Sequence, residues 1–510
     1  MPTVEDDSQI HEAHRIAVSA LLDERVAAGH WVGELSASAL STATAISAFS
    51  FYLQTDTHDT NRSRIEQQVE CGLNWLVAHQ NEDGGWGDTE KNYSNISTTM
   101  LVKAAFVAAG RSESDAQLLQ AADSYIQEQG GVDGIRKRYG EDKTFAVPIL
   151  ANCAMAGLVP WSEVGVLPFE AAVVPQRFYN LLNLPVVSYA IPALVAIGQA
   201  KFHFDPPRNP ITRWIRKFSV GRSLNVLQKM QPESGGYLEA IPLTSFVSMA
   251  LIKCGRAEHP VVQNGIRFLL DSFRGPQQDR GTWPIDTNLA TWVSTLSINA
   301  LCADSSFRFD GPEFKKCLEW ILGCQYKSVH PFTGAAPGGF GWSDLSGAVP
   351  DADDTPGAML ALRLFYDRAE LDSQTKARIR AAAEAATTWL LDLQNRDGGW
   401  PTFCRGWGRL PFDRSGSDLT AHVIRALASW QGEIDTPSAT DRAIERGYKF
   451  LSRKQSDDGS WLPLWFGNQD QIDDINPFYG TAKVLHAYRV SGRFHTKSAQ
   501  NGLHLSLIHI

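Results

Sequence analysis

Apolar residues recur at helical spacing along most of the chain. Ile10–Ala28 places Ile10, Ala13, Ala17 and Leu21 on one face, and Thr98–Ala109, Thr244–Cys254, Trp292–Ala303, Pro356–Tyr366 and Leu419–Trp430 are Ala- and Leu-rich stretches with few β-branched runs. This period and composition predict helices throughout. Gly-rich stretches between them close one helix and open the next. The longest apolar run, around Val186–Gly198, contains Pro192 and is too short to span a bilayer.

A second, longer period overlies the first. An apolar helix end, a Gln, acidic and Gly residues and an aromatic recur as GLNWLVAHQNEDGGW (72–86), AATTWLLDLQNRDGGW (385–400) and RGYKFLSRKQSDDGSW (446–461). Weaker copies end at Tyr237, Trp283 and Trp342, and Trp283, Trp342, Trp400 and Trp461 are spaced 59, 58 and 61 residues apart. About sixty residues accommodate two helices and a long loop. Repeated helix pairs bury a shared core, and a closed ring of them is an α/α barrel. In these loops the Gln is expected to satisfy backbone groups left open at a helix end, with the aromatic ring covering it. Their role is structural.

Composition narrows the function classes. The 510 residues suffice for two or more domains, and 43% hydrophobic with 20% charged residues is an ordinary globular balance. A net charge of -9 without a basic run argues against a nucleic-acid partner. The seven cysteines include no CxxC pair, which argues against a zinc site and suits a reducing compartment. The opening MPTVEDDSQIHEAHR is acidic and has no apolar core of a secretory signal. Neither GxGxxG nor GxxxxGK[ST] occurs, so no cofactor and no metal is expected.

Four marks together resemble the squalene–hopene cyclase family of class II terpene cyclases. The loops are similar to its QW motif, DADDT (351–355) to its Asp-x-Asp-Asp-Thr, SDLTAHVIRAL to its segment with a characteristic Asp and His, and FYGTAKVL (478–485) to its Tyr-Gly-Thr. The resemblance runs from about Gly29 to Leu485. It implies an all-α fold of two α/α barrels. Residues 30–285 would form one inserted barrel, 8–29 with 286–485 the catalytic barrel, and 486–510, which shows no helix-pair pattern, a truncated or non-native tail that leaves the second barrel incomplete.

The family's chemistry begins by protonating a carbon–carbon double bond and proceeds as a carbocation cascade to a hopene-like triterpene. Such a donor must stay protonated in an apolar chamber, although a free Asp titrates near ~3.9. Three carboxyls packed into DADD oppose one another's ionisation, and burial adds to this. The resemblance makes Asp353 the proton donor, supported by Asp351 and Asp354, with His422 hydrogen-bonding it and Asp418 behind. Read without the resemblance, DADDT is an N-cap, through Asp354 or Thr355, for a helix starting near Pro356. Aromatic faces stabilise a cation without trapping it. The positions that match the family's cavity aromatics are Trp292, Trp342, Phe403, Tyr479 and, loosely, Tyr189; any one of them taken alone reads first as core, and Trp292 and Trp342 are the two that stand against that reading.

Two departures bear on the product. Thr44 stands where the family has a Glu, and GNQDQIDDINPFYGT replaces a Trp-rich run. The resemblance also implies a squalene-like polyprene substrate, a peripheral, monotopic position on the cytoplasmic face of the inner (plasma) membrane, and a homodimer as a possible assembly. The segment Pro206–Phe218 mixes Trp and Phe with Arg and Lys as interfacial helices do, although it reads equally as an ordinary amphipathic helix. Three other readings stand beside this one: a cyclase of prenyl diphosphates, which needs a basic pocket; an α/α-barrel glycoside hydrolase with an acid/base carboxylate pair; and a non-catalytic α/α scaffold.

Overall fold

A computed structural model describes residues 4–57, 59–140, 143–174, 178, 190–277, 279–331, 333–405, 411–434, 437–468, 470–471 and 474–509. Its helices fall into two units, and the β-strands among the described residues form one short hairpin, Arg274–Gln277 with Arg280–Thr282, beside isolated β-bridges. In the first unit the inner helices are Ala39–Leu53, Ile96–Ala108, Lys143–Met155, Ile191–Phe204 and Ile241–Lys253. Each packs on the next, and the last returns onto Ala39–Leu53, closing a ring. Arg62–Ala78, Ala116–Glu128, Pro210–Lys229 and Pro260–Asp271 lie outside it.

In the second unit the inner helices Ala290–Leu301, Asp354–Arg368, Ser417–Ser429 and Pro477–Val490 also pack in succession, as an arc. Its ends, Ala290–Leu301 and Pro477–Val490, do not pack extensively on each other among the described residues. Pro312–Cys324, Ser373–Leu393, Pro437–Lys454 and Lys497–His509 form the outer layer. Two apolar cores match this division. One joins Ala39 to Trp283, and the other joins Trp31 and Ile298 to Ala499. Val18, Leu21 and Leu22 of the first helix, Val4–Asp23, pack on the second core, so the N-terminal helix belongs with the C-terminal unit.

Each repeat loop is locked in the same way. The indole N–H donates to a carbonyl at the end of the preceding helix: Trp86 to Leu76, Trp400 to Leu390 and Trp461 to Leu451, each ten residues back, at 2.7–2.9 Å. The Gln ties the loop outward. Gln80 Nε2 donates to Gly84 and Leu118 carbonyls, Gln394 to Gly398 and Ala443, and Gln455 to Gly459 and Ser498. The helix end is therefore satisfied by the Trp rather than by the Gln. Gly84, Gly398 and Gly459 take φ of +83°, +93° and +91°, a backbone that disfavours any side chain.

Sequence periodicity predicts no helix pair beyond residue 485, but the structure continues there as helices Pro477–Val490 and Lys497–His509. Ala499 is fully buried, and a Cβ on Gly502 would lie 2.6 Å from the Trp461 ring. The last helix docks through small residues against a repeat loop, and small residues leave no apolar period to read.

Candidate active site

A third contact of each loop sets the register of the inner helices. The backbone N–H of the loop aromatic donates to a hydroxyl in the first turn of the following inner helix: Trp86 to Thr99, Phe340 to Thr355, Trp400 to Thr420 and Trp461 to Thr481. Trp31 N–H donates likewise to Ser294 Oγ at 3.0 Å. Two residues before Ser294, Thr355, Thr420 and Thr481 stand Trp292, Asp353, Asp418 and Tyr479. These four occupy one equivalent position on four successive inner helices, so the arc presents them together at its mouth.

The acids are held by backbone. Asp351 Oδ1 accepts the N–H groups of Asp353 and Asp354 at 2.8 and 2.7 Å, capping the helix Asp354–Arg368. The capping side chain is thus Asp351, whereas the sequence pattern assigns that role to Asp354 or Thr355. The helix starts two residues before Pro356, and the Thr355 hydroxyl is taken by Phe340. Asp351 and Asp354 are each 3% exposed, while the Asp353 side chain keeps 19% of its surface. Within DADD, Asp353 is the acid that another molecule can touch.

Burial disfavours the charged form of every acid here. It pushes Asp351 up to about 7 and Asp418 up to about 6. Asp354 is held well above the carboxylate range by burial and by the negative charges of Asp351 and Asp353. Asp353 is also raised by burial, opposed by the positive charge of Lys483 and by a hydrogen bond from Trp292, whose indole donates to Asp353 Oδ2 at 3.1 Å. His422 is pushed well below its usual value by burial and then by Lys483 and Arg425, so it is neutral.

Two expected contacts differ in the structure. His422 Nε2 lies 3.9 Å from Asp353 Oδ1, beyond hydrogen-bond length, and its Nδ1 is buried without a partner among the described residues. The hydrogen bond to the acid comes instead from Trp292, because the imidazole sits a full turn deeper in the arc. Asp418 is anchored by the Leu464 main-chain N–H at 3.1 Å rather than by His422.

The aromatics form two groups. Trp292 is stacked on Phe466 (6.1 Å between centroids, 8° between planes), and Phe466 packs on Tyr479 at 4.9 Å. Phe403 stacks on Phe412 at 4.7 Å, Phe412 meets Trp465 in a tilted contact at 4.7 Å, and Trp342 joins Phe403 and Phe412 in a small apolar cluster with Val349 and Leu238. Trp342 is tied to the acid wall through its carbonyl, which accepts the N–H groups of Thr291 and Trp292. Tyr189 lies outside the described residues. Phe412, Trp465, Phe466, Lys483 and Arg425 escape sequence reasoning. Trp465 and Phe466 follow closely on the Trp461 loop, and the register set by Thr481 would have pointed to Lys483.

Comparison with known proteins shows the family. The profile of the squalene–hopene cyclase N-terminal domain matches residues 15–197, and that of the C-terminal domain residues 289–501. The chain belongs to the squalene–hopene cyclase family and is an enzyme of its intramolecular-cyclase class. It is 25% identical over 478 residues to the squalene–hopene cyclase of Alicyclobacillus acidocaldarius, covering 82% of this chain and 70% of that enzyme. It is 24% identical to enfumafungin synthase of Hormonema carpetanum, spanning 90% of this chain and 38% of that longer protein. It is 21% identical to sporulenol synthase of Bacillus subtilis, spanning 90% and 76%. Among solved structures, ent-copalyl diphosphate synthase from Streptomyces platensis is similar over 94% of this chain and 99% of that one, at 15% identity and a TM-score of 0.35.

Proposed function

We propose that the protein cyclises a linear polyprene, squalene in the first instance, to a hopene-like product, with Asp353 as the proton donor. The observation that carries this reading is the placement of Asp353. It is the accessible member of a buried acid cluster, beside Trp292 and near the Phe466–Tyr479 pair. Neutral Asp353 delivers its proton to a terminal alkene carbon, the neighbouring carbon becomes cationic, and the next double bond attacks it. Aromatic faces then stabilise the migrating charge by ~0.5–2 kcal/mol each in a dry site. Burial opposes ionisation of the donor, and neutral His422 adds no charge to the acid pocket.

The substrate reaches such an enzyme from a lipid phase. The helix Pro210–Lys229 turns Ile211, Trp214, Ile215 and Phe218 outward, 43–69% exposed, beside Arg213, Lys217 and Arg222. Such a face supports a peripheral position on the cytoplasmic surface of the plasma membrane. No helix among the described residues is long and apolar enough to cross one.

Detergent-solubilised protein incubated with squalene is expected to yield cyclic triterpenes, and Asp353→Asn to lose at least about a hundredfold in rate. An Asp353→Asn protein with undiminished turnover would falsify the acid assignment. Turnover of geranylgeranyl diphosphate in place of squalene would change the substrate and leave the acid standing.

A further inference from the structure

Beside the acids stand two half-buried cations that the reaction as described leaves unused. Lys483 follows Tyr479 by one turn on the helix Pro477–Val490, its Nζ 5.2 Å from the centre of the Tyr479 ring. It lies two residues after Thr481, the hydroxyl that receives the Trp461 N–H. His422 lies two residues after Thr420, the corresponding hydroxyl of the neighbouring helix. Lys483 therefore occupies on its helix the position that His422 occupies on Ser417–Ser429. On the helix before that, the position is Gly357, where an added Cβ would come 3.7 Å from His422 Nε2. Two cationic or polar side chains thus enter the arc at one depth, and the third position leaves them room.

Arg425 comes one turn after His422, and its Nε is buried without a partner. Neither Arg425 nor Lys483 has a carboxylate within 4 Å among the described residues. The nearest opposite charges acting on Lys483 are Asp353 and Asp418. A buried cation without a close partner is expensive. It persists at a functional site where a charge appears during the reaction.

We propose that Lys483, with Arg425 behind it, stabilises the carboxylate that Asp353 leaves when its proton goes to the substrate. The same positive charge lowers the proton affinity of that carboxylate and so disfavours return of the proton. Lys483 is thus a positioning and tuning residue that never touches substrate, and this role rests on Asp353 being the donor. The groups facing Lys483 are Asp353, with Asp351 and Asp354 behind it; Asp418, His422 and Arg425 on Ser417–Ser429; and Tyr479 and His486 on its own helix, with Arg489 beyond His486. Burial lowers the proton affinity of Lys483 and the carboxylates raise it.

The test reads Asp353 directly. The infrared carbonyl band of a protonated carboxyl is assigned to Asp353 by its absence in Asp353→Asn and then titrated with pH. In Lys483→Met its midpoint is expected about one unit higher than in the parent, a tenfold gain in proton affinity. In Lys483→Arg it stays within a few tenths. The alkaline limb of the squalene rate profile should move with it. Lys483→Gln, of similar size to the lysine stem, guards against a folding defect and should match Lys483→Met. A midpoint unmoved by Met and Gln, or moved equally by Arg, overturns the proposal. Intact titration shifts without cyclisation of any polyprene would instead overturn the cyclase reading.

Discussion

Asp351 has two duties that pull apart. As a cap it gives Oδ1 to two backbone N–H groups, which favours the carboxylate; its burial, with Oδ2 unpartnered among the described residues, favours the acid, and burial wins. Its proton affinity is higher folded than unfolded. The stability this contributes is therefore complete below about 4 and lost as pH rises toward about 7. Asparagine keeps the cap oxygen and cannot ionise. Asp351→Asn should accordingly be no more stable than the parent at pH 4, and more stable at pH 8 by on the order of 1–3 kcal/mol. Urea unfolding at the two pH values measures this. An equal difference at both would show that the carboxyl does not titrate with folding.

At the scale of the element, the repeat loop is a three-point lock: Trp to the helix behind, Gln to the outer helix ahead, and the loop backbone to a Thr of the next inner helix. Gln394, 4% exposed, donates to two carbonyls at 2.7 and 2.9 Å. Gln394→Leu would leave both carbonyls without that donor and isolate the Arg446 guanidinium that also meets this side chain. It should cost roughly 2–4 kcal/mol in chemical denaturation, whereas Gln500→Leu, on an exposed side chain, should cost under about 0.5 kcal/mol. Equal costs would mean that the lock is ornamental.

The sequence shows the Gln, Gly and Trp of this lock because they are contiguous. It hides the Thr, which lies 13 to 20 residues downstream of its aromatic. For that reason DADDT, SDLTAH and Tyr-Gly-Thr read as separate motifs, although they are one position repeated. Lys483 was illegible for the same reason, and so was the last helix, which docks through Ala499 and Gly502 rather than through an apolar stripe.

Over the whole molecule, the two cores divide the labour. The first closes on itself and carries the exposed aromatic face of Pro210–Lys229, where Trp214 and Phe218 pack 5.2 Å apart and Arg222 lies over Phe218. The second carries the acids. Arg216, on the same helix, is turned inward to Glu170, so the outward face can change without disturbing the barrel. Trp214→Ser with Phe218→Ser should reduce sedimentation with phosphatidylglycerol-containing vesicles at least about tenfold, each lost aromatic removing roughly 1–2 kcal/mol of partitioning. Its circular dichroism should be unchanged. Unaltered sedimentation would argue against a membrane contact through this face.

The shared register of Trp292, Asp353, Asp418 and Tyr479 gives the arc a modular front. Each helix offers one interchangeable tooth, set by a clasp between an aromatic residue's N–H and a hydroxyl that takes no part in the chemistry. Descendants of such a scaffold can trade an acid for a ring, or a ring for a phenol, one helix at a time while the fold beneath stays as it is. New product skeletons then require only a handful of exchanges around a rim, and the rest of the chain can drift.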